Sequence, residues 1–455
     1  MSGRLRLSGA RILTCEDSAV IDDGAIGVEA PRIAWVGPAA ALPEAYLDPS
    51  DEVLDLAGCT VMPGLVDGHL HISFGEATSE EELAMYASGE LRAVRAAIDA
   101  AKPLAAGVTS ACDPGGYYPV ALAVREAIDS GLVPGPRFSV AGHQLTTHQG
   151  IGAGFPTWLG EPPFAIGKIV DSRDAMLAEI RREVKDGVDL IKLAGSGGDS
   201  DEFAAFRPEE LELAASEAHR LGRPIAVHAR SRQAVIDSAR AGVDWIMHAS
   251  FMDKEGLDLV LERGIPLLPA LTLLVNSLEA NRGSGVLSPS GREHLQRELD
   301  AACEALRAAY EAGAILIAGS ESGFAMTPYG EWHAREMSLF VELLGMRPVD
   351  AIISMTRHAA RAVPRWRDQI GVLSAGKLAD LLVVDGKPDE DVRLLGRRSA
   401  IRRVMQGGVF VEGAPGTAAD LRGVSAPTAE RRRGRAERTH LYTGGTIYRN
   451  PEMSW

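Results

Sequence analysis

The sequence predicts an α/β protein: a (β/α)8 TIM barrel with a small β-sandwich domain formed by both chain ends. Three observations carry this. From Val61 onward, eight apolar strand-like runs alternate with amphipathic helical stretches. Short β-like segments separated by Gly, Pro, Asp and Ser precede and follow that alternation. An open sheet of eight strands would need a topological switch point and a Gly-rich phosphate loop, and the sequence shows neither.

The elements follow in order. Arg4–Leu7, Ala10–Thr14, Ala25–Val28, Ile33–Val36 and Val53–Asp55 read as short strands, giving residues 1–60 to the small domain. The barrel, residues 61–364, takes its strands from Val61–His71, Val108–Asp113, Arg137–Ala141, Asp189–Ala194, Ile225–His228, Trp245–His248, Pro266–Leu271 and Ile315–Gly319. Helices are expected over Glu80–Ala105, Val120–Ser130, Ser172–Asp186, Pro208–Leu221, Arg232–Ala241, Asp253–Arg263 and Ser290–Ala312, with Gly near several of their ends turning the chain back into a strand. Two further helices, Trp332–Leu344 and Pro348–Ala362, close the barrel. Gly371–Leu373, Asp380–Val384, Ile401–Gln406 and Val409–Val411 return β character to residues 365–422, and residues 423–455 read as an extended tail.

Bulk properties narrow the function. The chain has 455 residues, 46% hydrophobic and 24% charged, an ordinary globular balance and long enough for one large domain plus a smaller one. A net charge of −15 argues against nucleic acid and anionic membranes as partners, and the basic run Arg431–Arg438 reads as a solvated tail. Met1–Thr14 lacks an apolar stretch with a small-residue cleavage site, and no window is apolar enough for a membrane span. Cys15, Cys59, Cys112 and Cys303 form no CxxC pair, so a reducing cytoplasm is expected rather than a disulfide framework. A homo-oligomer is the expected assembly.

The residues that carry chemistry lie at strand ends. His69 and His71, in Val66-Asp67-Gly68-His69-Leu70-His71, share one face by the period of two and point into the barrel at its C-terminal rim. Two neutral imidazoles held that way can share a divalent cation. Lys192 sits in the apolar fourth strand, where burial disfavours the ammonium; it either snorkels to the rim or becomes an amine that adds CO2 to form a metal-bridging carbamate. His228 ends the fifth strand, His248 the sixth, and Glu321 follows the eighth. Each alone is an ordinary core or loop residue. Together, at the ends of strands of one barrel, they make a shared site, with Glu321 the natural general base beside an activated water.

Val61-Met62-Pro63-Gly64-Leu65-Val66-Asp67-Gly68-His69-Leu70-His71 resembles the first-strand signature of the amidohydrolase superfamily, and Gly371–Asp385 resembles its C-terminal β-domain signature. Ile191-Lys192, Val227-His228 and Met247-His248 are similar to the imidodipeptidase branch, which holds Xaa-Pro and Xaa-Arg dipeptidases and the hydrolases of phenylurea and thiocarbamate (molinate-type) herbicides. The resemblance implies His69 and His71 on one metal, N6-carboxylated Lys192 as a bridge, His228 and His248 on a second metal, and Glu321 where the branch has Asp. Glu is one methylene longer, which moves the carboxylate by roughly 1.5 Å. The third-strand loop also departs from the branch's Gly-Gly-His-Gly turn, with His143, Thr146, Thr147 and His148 in its place.

The reaction these residues imply is metal-assisted hydrolysis of a C–N bond in an amide, urea or carbamate. Zinc is the default ion for mostly imidazole ligands. Glu321 takes the water proton and delivers it to the leaving amine, and in a one-metal site His248 polarises the carbonyl. Loops Gly142–Ile169 and Leu273–Ser288 are expected to build the pocket, with His143 and His148 as substrate-binding candidates and Phe155, Trp158, Leu159 and Phe164 as an apolar lining. Arg230 is the one candidate for a carboxylate anchor. It leaves two alternatives beside an uncharged substrate: an imidodipeptidase, and a barrel retired from chemistry to a binding role.

Overall fold

The computed structural model describes residues 4–48, 51–162, 164–197, 203–280 and 288–411. The chain begins with β1 (Leu5–Leu13), β2 (Val20–Glu29), β3 (Arg32–Pro38), β4 (Glu52–Asp55) and β5 (Cys59–Pro63). Then come β6 (Leu65–Asp67), β7 (Val108–Asp113), β8 (Arg137–Thr146), β9 (Gly167–Ile169), β10 (Leu190–Ala194), β11 (Ile225–Ala229), β12 (Trp245–His248) and β13 (Leu267–Leu268). The last strands are β14 (Leu381–Asp385), β15 (Ile401–Gln406) and β16 (Val409–Phe410). The tail expected from residue 423, with its basic run, lies outside the described residues.

Both chain ends enter one eight-stranded sheet, ordered β16-β15-β14-β5-β1-β2-β3 with β4 also on β1. Its apolar face gathers Leu7, Ile12, Ile26, Val61, Leu381, Val383 and Met405 into a core of its own. The strands expected to form a sandwich are joined in one continuous hydrogen-bonded sheet. The reason lies in β1. Its first half pairs in parallel with β4 and its second half with β5, and its ladder to β2 is irregular on both sides of Ala10. One long bulged strand therefore does the work of two.

Strands β6, β7, β8, β10, β11, β12 and β13 form a curved parallel sheet in that order, with β9 as a short addition on β8. The eighth barrel position is filled by Ile315–Ser322. Leu267 N–H donates to the Ile315 carbonyl and Ile317 N–H to the Leu267 carbonyl, at 2.9 and 2.8 Å. On the other side, Gly68 N–H donates to Ala318 and His71 N–H to Ser322, at 3.1 and 2.7 Å. These bonds join the two edges of the sheet. The interior agrees: Val66, Cys112, Ala141, Leu190, Ala226, Trp245, Leu268 and Ile317 each come from a different staves-like segment and pack into one buried cluster.

The helices form the outer layer. Ser172, Ser231 and Asp253 accept hydrogen bonds from the first turns of Arg173–Asp186, Arg232–Ala241 and Lys254–Arg263, while Gly187, Gly242 and Gly264 end them in the left-handed conformation. The single helix expected over Glu80–Ala105 is three, Glu80–Met85, Gly89–Asp99 and Ala101–Ala105, because Ser79 and Ser88 each cap a new start. The strand expected over Val61–His71 is also divided. Residues through Pro63 pair with β14, so the boundary drawn after residue 60 falls within β5. Gly64 then turns the chain into β6, where a Cβ would stand 2.2 Å from Thr109 Oγ1.

Candidate metal centre

His69, His71, Lys192, His228, His248 and Glu321 are all buried at the C-terminal rim of the barrel. His69 and His71 leave β6 in extended conformation, and their Nε2 atoms face each other at 3.0 Å. The orientation of His71 is set from behind. Its Nδ1 lies 2.6 Å from the Gly115 carbonyl, which only accepts, so Nδ1 carries the proton and Nε2 keeps its lone pair. Phe74 stacks on the same ring at 4.1 Å. One donor atom each from His69, His71 and Glu321 falls within a mutual 4.8 Å, a spacing one ion can bridge.

Lys192 is inward-facing in β10, with Nζ against Met247 Sδ. Parallel register aligns His228 with Met247. Strict alternation would then send His248, the next residue, to the outer face. It does not go there: its φ of 70° turns the backbone, and its ring lies 4.3 Å from that of His228 and 5.7 Å from that of His69. Glu321 has the same left-handed backbone, at φ 53°. A non-glycine residue in this region costs about 1–3 kcal/mol, and such strain gathers at functional sites. Glu321 is held there by its N–H on the His69 carbonyl at 2.6 Å and by Thr327 Oγ1 donating to its own carbonyl at 2.7 Å.

The electrostatics suit a cation. Burial, then the charge of Lys192, pulls His71 down to about 3. Burial and neighbouring positive groups push His69, His228 and His248 well below the ordinary histidine range, which favours the neutral form that a metal ligand needs. Burial lowers Lys192 to about 7, opposed by Glu321, and raises Glu321 to about 7, opposed by Arg230 and Lys192. Three buried nitrogens, His69 Nδ1, His228 Nε2 and His248 Nε2, have no hydrogen-bond partner. Most buried polar atoms in proteins find a partner, so three open nitrogens on imidazoles gathered at one rim fit a divalent metal.

Not every residue expected at the site is brought to it. The third strand runs on to Thr146, and a bulge between its pairings with Leu190 and Lys192 turns Gly142 and His143 outward. His143 Nδ1 meets Glu179 at 3.3 Å on helix Arg173–Asp186, and its N–H donates to buried Glu183 at 2.8 Å. His148 is half exposed and paired with Asp171. It borders a cleft of ≈300 Å³ inside the same loop, together with Phe155, Pro162, Ala165 and Ile169. Trp158 and Leu159 are exposed. Phe164 packs on Tyr117 at 4.8 Å. The first half of the second pocket loop, expected over Leu273–Ser288, belongs to helix Leu271–Ala280, and residues 281–287 lie outside the described ones. Arg230 stands close enough to act on the site imidazoles, but its Nε is 3.2 Å from Glu298. Sequence reasoning gave Asp67 no role. It is wholly buried, and its Oδ1 accepts from His69 N–H and Ser320 N–H at 3.1 and 3.0 Å, joining the first and eighth rims.

The model of the amidohydrolase family matches residues 60–411. The chain belongs to the amidohydrolase family. It is 29% identical to the ochratoxinase of Aspergillus niger over 429 residues, covering 89% of this chain and 86% of that one. Imidazolonepropionase of Paracoccus denitrificans is 28% identical over 421 residues, 83% of this chain and 93% of the relative. Among solved structures, a Xaa-Pro dipeptidase with bound methionine in the active site superposes with a TM-score of 0.79 at 27% identity, covering 90% of this chain and all of that one. Members of this family are hydrolases of C–N bonds that generally use a divalent metal. No helix among the described residues of this family member is long and apolar enough to cross a membrane.

Proposed function

We propose that this family member hydrolyses an amide-, urea- or carbamate-type C–N bond in an uncharged small molecule. One observation carries the reading: imidazole nitrogens of His69, His228 and His248 are buried without a partner, beside a His69, His71 and Glu321 set whose donor atoms lie within 4.8 Å of one another. Zinc is the ion that such donors favour, with His69, His71, His228, His248 and Glu321 as its holders. When bound, a divalent cation supplies a water acidified toward a pKa of about 7 and polarises a carbonyl oxygen.

The chain supplies the proton transfers. Glu321, raised to about 7 by burial, changes charge near neutrality, as a base that must also act as an acid requires. It removes a proton as the water oxygen bonds to the carbonyl carbon, then returns that proton to nitrogen as the C–N bond breaks. Arg230 and Lys192 keep the surroundings positive and favour the carboxylate form at the start. An uncharged aryl or alkyl substrate, as in phenylureas and thiocarbamates, is favoured because the Arg230 guanidinium, the candidate carboxylate anchor, is engaged by Glu298.

The finer reading has two ions bridged by carboxylated Lys192, in a cytoplasmic homo-oligomer. Burial that holds the lysine amine near neutrality supports carbamate formation, and four free cysteines suit a reducing compartment. Lys192→Ala is expected to lose metal and turnover, with short-chain carboxylates restoring part of both. A free amine by mass analysis, alongside full activity, would remove the bridge and leave a one-metal site. A second reading, an imidodipeptidase, is favoured by the likeness to the Xaa-Pro dipeptidase. Against it, the Arg230 guanidinium that would anchor an α-carboxylate already faces Glu298.

The deciding experiment offers phenylureas, carbamates, N-acyl amino acids and Xaa-Pro dipeptides to zinc-loaded and chelator-stripped protein. Turnover of an uncharged amide-type compound, lost on stripping and regained with zinc, is the expected result. Full activity in stripped protein overturns the mechanism.

A further inference from the structure

The eighth-strand rim is held by a network that reaches beyond the six converging residues. Asp67 Oδ2 accepts from Ser320 Oγ at 2.6 Å and from His333 Nδ1 at 2.7 Å. Counting the two N–H groups on Oδ1, this carboxylate takes four hydrogen bonds with no exposure to solvent. His333 is itself buried, and its tautomer is fixed. Gly330 N–H donates to His333 Nε2 at 2.8 Å, so the ring proton lies on Nδ1 and is given to Asp67. A buried histidine presenting one fixed proton to a buried carboxylate is a directional contact, unlike the packing role an apolar side chain would fill.

What Asp67 holds is chemically specific. It grips His69 through its N–H, and it grips Ser320, the residue before Glu321, through both N–H and hydroxyl. Glu321 sits next in a left-handed backbone that relaxes unless both sides are fixed. We propose that His333 is a positioning residue, which through Asp67 sets the separation between the His69 imidazole and the Glu321 carboxylate. The proposal rests on the metal-centre reading above. His333 touches neither ion nor substrate and acts by holding Asp67, which in turn holds His69 and Ser320.

The test uses two amides of different reach in the full-length protein. In His333→Asn the side-chain NH2 occupies the place of Nδ1 and keeps the donor to Asp67. In His333→Gln the amide reaches the place of Nε2, keeping the Gly330 contact but losing that donor. Co(II) replaces zinc as the probe, read by its visible absorption spectrum and by competition with a chelator. Loss of an outer partner of a metal ligand typically weakens binding about 10–100-fold. We expect a loss of that size and an altered spectrum in His333→Gln, with kcat falling more than KM rises, and near wild-type behaviour in His333→Asn. Unchanged melting of both metal-free variants would separate positioning from general stability. Equal Co(II) affinity and spectra in the Gln, Asn and wild-type proteins overturn the proposal, as do equal losses in both variants. Wild-type protein that takes up no Co(II) overturns the metal-centre reading and this inference with it.

Discussion

Two clusters of histidine and carboxylate occur in the same barrel, and they differ in what their polar atoms lack. Inside the rim, His69, His71 and Glu321 bring one donor each within 4.8 Å, and so do His143, Glu179 and Glu183 outside it, between β8 and helix Arg173–Asp186. By spacing the two are equivalent, although the inner set has two histidines and one carboxylate and the outer set the reverse. The outer set, however, is largely engaged by its own protein, with Glu183 Oε2 left unpartnered. Arg182 Nε donates to Glu179 at 2.9 Å, His143 meets Glu179, and His143 N–H binds Glu183. Burial, reinforced by Glu179, raises Glu183 well above its ordinary value, which disfavours the charged form that a metal ligand needs. Inside, burial favours the neutral imidazoles while several of their nitrogens face nothing. Three open imidazole nitrogens at the rim, against one open carboxyl oxygen on Glu183, separate the candidate metal centre from the outer set.

The comparison breaks or sharpens on three measurements. The largest effect is expected from His69→Ala or His71→Ala, each of which should reduce turnover to background and lower bound zinc by elemental analysis. Retention of both would place the metal elsewhere. Next comes Glu321→Gln, which removes the proton carrier and should cut kcat by about 10²–10⁴-fold while most of the metal stays bound. Glu321→Asp restores the residue usual in similar proteins but shortens the reach, and should lose activity on the native substrate; a near wild-type kcat in the Gln variant would mean that another group is the base. The smallest effect belongs to the outer cluster. His143→Ala and Glu183→Gln should leave zinc content unchanged and alter kcat by less than about threefold, with a cost confined to thermal stability of about 1–2 kcal/mol. Zinc lost from either variant would make the two clusters alike and refute the distinction.

The barrel was legible in the sequence because its signals are local. Alternating apolar strands and capped helices follow from the side chains themselves, and the spacing of His69 and His71 gives their shared face directly. Positions that depend on backbone departures were not legible. A period of two places His248 outside once Met247 is inside, and only a φ of 70° reverses that. A bulge in β8 turns His143 away from the pocket that its loop position suggested. The two sets of short strands read at the chain ends are joined in one continuous sheet because β1 changes partners along its length, a switch that their local patterns do not show. His333 carried no signal at all, since its partner Asp67 lies 266 residues away in the chain.

The meeting of the two chain ends has a consequence for the barrel's first strand. Pro63 is registered against Leu381, Met62 against Leu382 and Val61 against Val383, and Gly64 N–H donates to the Asp380 carbonyl at 2.9 Å. The pairing of β5 with β14 thus works as a clamp on the barrel's entrance: the last strands of the chain hold the residue before the Gly64 turn, and β6 takes its own register from β7 beyond it.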